Sequence, residues 1–246
     1  MSLSHPSPNF GERRGGARVE LVVLHYTVLG CAEALERLCD PAAEVSAHYL
    51  IDRDGSVLSL VDEASRAWHA GAGEWRGAGD VNSRSVGIEL ANSGREPFAE
   101  PQMAALERLL HAVLERHGLG PEAVIAHSDM APERKGDPGA RFDWRRLAVQ
   151  GLAVWPVVVP AVAPPPHPSP TRGEGGARVL AVASEAEVGF VADLRAFGYP
   201  DAAPEALLTA FRLRFRPWAS GPLDDGDCAL AARLRRIAVD ARRGDA

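Results

Sequence analysis

The sequence predicts an α/β protein: a mixed β-sheet flanked by helices, followed by a small C-terminal three-helix domain. Three observations carry this reading. Apolar runs of strand length alternate with helix-period segments as far as Trp155. A Pro-rich stretch with no apolar period then interrupts the chain. Beyond it, three amphipathic segments follow one another with no strand between them.

The elements come in this order. Residues 18–26 (RVELVVLHY) read as a strand, with Leu21, Val23 and His25 on one face because side chains alternate. A helix follows around residues 32–38. The apolar runs 46–52 and 56–61 flank Arg53-Asp54-Gly55, a hairpin signal. Residues 70–80 are a Gly- and Ala-rich loop. Residues 85–91 (SVGIELA) form another strand. Residues 101–117 read as an amphipathic helix, opened by Pro101 and stopped by Gly118, with Met103, Leu106, Leu110, Val113 and Leu114 on its apolar face. A last strand, 123–127, runs into the loop 128–139. One hairpin within an irregular alternation of strands and helices makes the sheet mixed.

The boundaries that follow are 17–156 for the first unit, 157–178 for a Pro/Gly-rich linker containing a solvated His167, and 179–243 for the helical unit. Its helices are expected at 185–197 (stripe Val188, Val191, Leu194, Phe197), 204–215 (Leu207, Leu208, Phe211, Phe215) and 227–239 (Leu230, Leu234, Ile237). At roughly 60 residues, such a unit would be only marginally stable on a core of its own.

Composition removes several function classes. The net charge of −6 with no basic stripe argues against a nucleic-acid partner. No apolar run reaches the ~18 residues of a membrane span. Residues 1–16 are polar and Pro/Gly-rich, unlike a secretory signal, so the cytoplasm is the default compartment, with the periplasm or cell envelope as the alternative. Cys31, Cys39 and Cys228 match no zinc-ribbon or disulfide spacing and read as free thiols. All but one of the 27 basic residues are arginine, and the exception is Lys135.

Lys135 lies in AHSDMAPERKGDPG, between His127 and Asp137. An imidazole and a carboxylate are both zinc ligands, and the Pro and Gly around them let the loop fold back on one ion. His25, at the end of an apolar strand where a polar residue is out of place, supplies a third ligand. Two histidines, one aspartate and an open fourth position describe a catalytic zinc site. Taken singly, each residue is better read as a core histidine, a strand-end cap or a turn aspartate, so the reading rests on the set. Glu89 sits in an apolar strand, pointing away from the face of Ile88 and Leu90. A carboxylate there is costly without a partner, and beside an activated water it serves as general base. The compact Lys135 ammonium suits an oxyanion where the planar guanidinium does not. Trp68 and His69 offer an aromatic face and an imidazole for a sugar and short peptide, against a rim-filling role. His48 is a candidate for orienting other groups, and Asn92 for hydrogen-bonding substrate, against a plain turn role.

The ordered set LVVLHYT, SAHYLIDRDGSV, WHAG, SVGIELAN and AHSDMAPERKGDPG, over roughly residues 17–156, resembles the zinc N-acetylmuramoyl-L-alanine amidases of the AmpD/AmiD type, which share a fold with peptidoglycan recognition proteins. The resemblance implies a zinc amidase domain that holds Zn2+ on His25, His127 and Asp137. Glu89 would then be the base, Lys135 the transition-state cation, and peptidoglycan or muropeptides the substrate. Related phage amidases carry a catalytic tyrosine where this chain has Ala47. AFRLRFRPW followed by GPLDDGD resembles an appended helical peptidoglycan-binding domain, although its Asp-Gly repeat pattern is imperfect. The competing readings are a non-catalytic peptidoglycan-recognition module, against which the intact ligand set argues, and a zinc peptidase acting within the stem peptide.

Overall fold

The computed structural model describes residues 3–156 and 184–244; the sequence-defined linker 157–178, with His167, lies outside the described residues. The chain opens with β1 (Leu3–Ser4) and β2 (Phe10–Glu12), followed by β3 (Leu21–Tyr26), helix α1 (Cys31–Cys39), β4 (Tyr49–Ile51), β5 (Val57–Ser59) and β6 (Ser65–Ala67). A one-turn helix, α2 (Val81–Arg84), leads into β7 (Ser85–Leu90). Next come α3 (Glu100–His117), β8 (Val124–Ala126), α4 (His127–Met130) and α5 (Trp144–Val149). The C-terminal part is α6 (Glu185–Phe197), α7 (Pro204–Phe215) and α8 (Asp225–Gly244).

The main sheet has the order β1-β5-β4-β7-β3-β8, and β2 pairs with β6 in a separate ribbon. β3 is parallel to both β7 and β8, while β4 and β5 form the antiparallel hairpin expected around Gly55, so the sheet is mixed as the sequence predicts. Gly55 takes φ +88°, the left-handed conformation that makes glycine the natural residue of this turn. β3 reads as an almost unbroken apolar run because both of its faces are covered.

One face, with Val22, Leu24, Val86, Ile88 and Val124, packs on Met103, Leu106 and Leu110 of α3 and on Trp144 and Leu147 of α5. α3 begins with Pro in its first turn and ends at Gly118 in the left-handed conformation, as its sequence signals require. Near β4, α1 packs Ala34 and Leu38 against Leu50 and Leu60.

The other face corrects an expectation. The three C-terminal helices do not bury a small core of their own. Leu21 and Val23 of β3 and Ile125 of β8 join Trp75, Phe190, Leu194, Phe197, Phe211, Phe215 and Leu234 in one continuous cluster. Phe197 meets Trp75 edge to face, with ring centroids 5.7 Å apart. The cause is area: three short helices cannot bury enough apolar surface among themselves, and the strand face needs a cover. The stripe of α6 is accordingly Phe190, Leu194 and Phe197, whereas Val188 is 58% exposed. Element ends also move. β3 starts at Leu21 rather than at 18, and β8 stops at Ala126, so that His127 opens a helical turn instead of closing a strand.

A shared core predicts a single cooperative thermal transition for the whole chain. Phe197→Ala should lower stability by about 3–5 kcal/mol and move that one transition without splitting it. Calorimetry resolving two transitions would contradict the shared core.

Candidate metal centre

The parallel register assembles the site. His25 of β3 is paired with Glu89 of β7, and Leu24 with Ala126 of β8, so His127 emerges beside His25 at the C-terminal edge of the sheet. Ligand sites of open α/β sheets gather at this edge. Asp137 arrives from the loop after α4, tied by its backbone carbonyl to the N–H of Ser128 at 3.1 Å.

Three donor atoms converge. His25 Nδ1 and His127 Nδ1 are 2.9 Å apart, and each lies 3.0 Å from Asp137 Oδ2. The edge of a tetrahedron with bonds of ~2.0 Å is roughly 3.3 Å, so this triangle is close to one face of a tetrahedral zinc site. The outer nitrogens fix which atoms face inward. His127 Nε2 lies 2.9 Å from the Ala70 carbonyl, which only accepts. Its proton is therefore on Nε2, and Nδ1 of the neutral ring presents a lone pair. For His25 the logic runs through two more groups. Ser85 donates its one hydroxyl hydrogen to the Val81 carbonyl at 2.6 Å, so it accepts from His69 Nε2–H at 3.2 Å. His69 Nδ1 then accepts from His25 Nε2–H at 3.0 Å, which leaves His25 Nδ1 bare. Two lone pairs and a carboxylate oxygen meeting in a buried corner fit a cation. His25, His127 and Asp137 are the residues that could hold one.

Electrostatics agree with the geometry. Burial pushes His25 down to about 4. Burial alone would raise the Asp137 carboxyl, but whenever a proton occupies the facing Nδ1 of His127 or His25, the place a cation would take, its hydrogen bond outweighs this and holds the carboxyl well below the usual carboxylate range. Glu89 is the opposite case. Burial, with the nearby charge of Asp137, raises it to about 8, while Lys135 pulls the other way. Its Oε2 is buried without a hydrogen-bond partner, and such an orphaned acceptor marks a functional position.

The site opens into a cleft of about 440 Å³ lined by Glu89, Lys135, Trp68 and His69, with Arg37 and Arg134 also on its wall. Two candidates named from the sequence lie elsewhere. His48 is fully buried away from the cleft: its Nδ1 accepts from the Gly87 N–H at 2.9 Å and its Nε2 faces the Ser65 carbonyl at 3.2 Å. It braces β7 against β6, outside the cleft lining. Asn92 shapes a turn, with Oδ1 accepting from the Gly94 N–H at 2.7 Å. It too is buried off the cleft. His69 reaches the cleft but spends both ring nitrogens on His25 and Ser85. Its ring packs so closely over Gly87 that a Cβ there would meet it at 2.4 Å.

Sequence reasoning missed several supports. Asn82 Oδ1 accepts from the N–H groups of His69 and Ala70 at 3.0 and 2.8 Å, and so holds the carbonyl that orients His127. Ser85 and Asp129 also escaped notice. A serine opening an apolar strand was the only available signal for the former.

The buried acid makes a prediction about the metal-free protein. Glu89 is raised from 4.5 to about 8, so over that range the folded chain holds a proton the unfolded chain has released. Stability then falls as pH rises. His25 and His48, lowered from 6.5 to about 4, act in the opposite sense only below 6.5. Between pH 6.5 and 8, metal-free Glu89→Gln should therefore lack the decline in denaturant midpoint that the native sequence shows. Equal slopes for the two proteins would refute the buried-acid assignment.

Residues 15–140 match the family described as N-acetylmuramoyl-L-alanine amidase. The chain is 39% identical over 155 residues to N-acetylmuramoyl-L-alanine amidase AmiD of Escherichia coli; the match covers 56% of this chain and 55% of that protein, about half its length. It is 31% identical to 1,6-anhydro-N-acetylmuramyl-L-alanine amidase AmpD of Haemophilus influenzae, over 57% of this chain and 86% of the relative. Structural similarity extends further. The complex of E. coli AmiD with the substrate anhydro-N-acetylmuramic acid-L-Ala-D-γ-Glu-L-Lys superposes with a TM-score of 0.74 at 31% identity, covering 95% of this chain and 93% of that one. AmpDh3 of Pseudomonas aeruginosa gives 0.71 at 27% identity, covering 95% of each.

Proposed function

The chain belongs to the N-acetylmuramoyl-L-alanine amidase family, and from that premise we propose that it uses zinc on His25, His127 and Asp137 to hydrolyse the amide between the lactyl carbonyl of N-acetylmuramic acid and L-alanine. The observation that carries the proposal is the triangle of three inward-facing donors, 2.9–3.0 Å apart, beside an orphaned glutamate oxygen.

Zinc in this donor set acidifies water and polarises a carbonyl, the two effects amide hydrolysis needs. The protein's own groups do the rest. Glu89 receives the proton of the attacking water and delivers it to the departing alanine nitrogen. Its raised affinity for protons suits it to both halves of that transfer. Lys135 places an ammonium against the oxyanion of the tetrahedral intermediate. Trp68 offers the sugar an aromatic face. Arg37 and Arg134 give the cleft a positive wall, suited to the carboxylates of a stem peptide, in a chain of net charge −6. Muropeptides are the substrate class. The AmiD neighbour is a complex with such a compound, and its overall fold matches this chain over 95% of its length.

Hydrolysis of a muropeptide should stop with a chelator and return with zinc, and mass analysis should find an intact peptide headed by L-alanine. Cleavage within the stem peptide would make the protein a peptidase, and binding without turnover would make it a recognition module. Glu89→Gln should lower kcat by about 10²- to 10⁴-fold with stoichiometric zinc retained; loss of zinc in that variant would assign Glu89 to structure. Lys135→Arg should also lose turnover, and near-normal rates would remove the oxyanion role. Comparing intact sacculi with soluble anhydro-muropeptide distinguishes wall from recycled fragments as the working substrate.

A further inference from the structure

We propose that the C-terminal helices are part of the metal centre. On this view Tyr199 and Arg214 are positioning residues that act through Asp129 to hold the chain segment bearing His127. The inference rests on the zinc reading above and extends it to residues that touch neither metal nor substrate.

Asp129 lies two residues after His127, within the one-turn helix α4, and is completely buried. Its Oδ2 accepts from the Ala126 N–H at 2.9 Å, which fixes the corner where β8 ends and His127 turns inward. Its other partners come from far along the chain. Tyr199 donates its hydroxyl to Oδ1 at 2.5 Å. Arg214 of α7 pairs with Oδ2, donates to the Val124 carbonyl at 3.1 Å, and stacks 4.1 Å from the Trp144 ring centroid. A buried carboxylate is tolerated only when such partners are in place. The corner therefore keeps its shape only while the helices are docked.

The same corner controls a second ligand. The Ser128 N–H donates to the Asp137 carbonyl at 3.1 Å, so moving α4 displaces both His127 and Asp137. A further tie comes from the Ala203 N–H, which donates to Glu133 at 3.1 Å within the intervening loop. Metal affinity is thus tied to the hydrogen bonds that converge on Asp129, and by reciprocity metal binding should strengthen those bonds.

The test uses the full chain. Zinc affinity is read by competition with a chromophoric chelator, and ligand geometry by the visible spectrum of the cobalt-substituted protein. Tyr199→Phe removes one hydrogen bond and keeps the ring; Arg214→Met removes the charge and keeps much of the bulk. Leu234→Ala is the control, because it damages the same helical core without reaching Asp129. Zinc should bind several-fold more weakly to Tyr199→Phe and about 10- to 100-fold more weakly to Arg214→Met, with a changed cobalt spectrum. Leu234→Ala should lower the melting temperature and leave zinc affinity and spectrum unchanged. Unchanged affinity in Tyr199→Phe, or a loss in Leu234→Ala as large as in the others, would overturn the proposal. If Arg214→Met does not fold, Tyr199→Phe and Asp129→Asn decide it by the same readouts. A native chain that binds no zinc would instead overturn the metal reading itself.

Discussion

Two imidazole lone pairs and a carboxylate oxygen, each about 3.0 Å from the next in a buried corner, repel one another unless a cation lies between them. That confrontation is the constraint on which the rest of the molecule is organised. Parallel pairing of β3 with β7 and β8 brings the side chains to one edge. Backbone carbonyls of Ala70 and Val81, at the ends of short hydrogen-bond chains, dictate which ring atoms face inward. One oxygen of Glu89 is left unpartnered beside this charge, and burial, with Asp137 nearby, raises its proton affinity, as suits the base proposed above.

Much of this was legible in the sequence because local patterns exposed it. His25 and Glu89 break the apolar alternation of their strands, and the lone lysine stands in an arginine-dominated chain between His127 and Asp137. What stayed hidden was set by distant partners. His48 and Asn92 look like site residues by type and place, but which way each faces depends on backbone groups that only the folded sheet brings near. His69 reads from the sequence as a substrate contact; it lines the cleft, and its ring nitrogens face His25 and Ser85, partners that no local pattern reveals. Asp129 carries no local sign of importance, since Tyr199 and Arg214 lie 70 and 85 residues away. The C-terminal helices were read correctly as helices. Their apolar stripes did not say what they would cover, and so the common core with β3 was missed.

That common core changes how the two parts of the chain relate. The match to H. influenzae AmpD accounts for 57% of this chain, whereas the AmiD and AmpDh3 structures superpose on 95% of it. An amidase domain that lacks such helices must cover the face of Leu21 and Val23 by other means, and must also neutralise or replace a carboxylate at the position of Asp129. In the present chain both tasks fall to the same three helices.

The hydrogen-bond chain from His25 through His69 and Ser85 has one more property. It terminates on a peptide oxygen, which can receive a hydrogen but has none to give. Every link before it is thereby polarised in one direction, and no hydrogen can hop inward along the row without reversing all of them. On the zinc reading proposed above, protons released at the metal would therefore have no exit through the interior of the sheet. Their route would be the open side, where Glu89 lines the cleft, and catalytic traffic and structural wiring would stay separate although they share an imidazole.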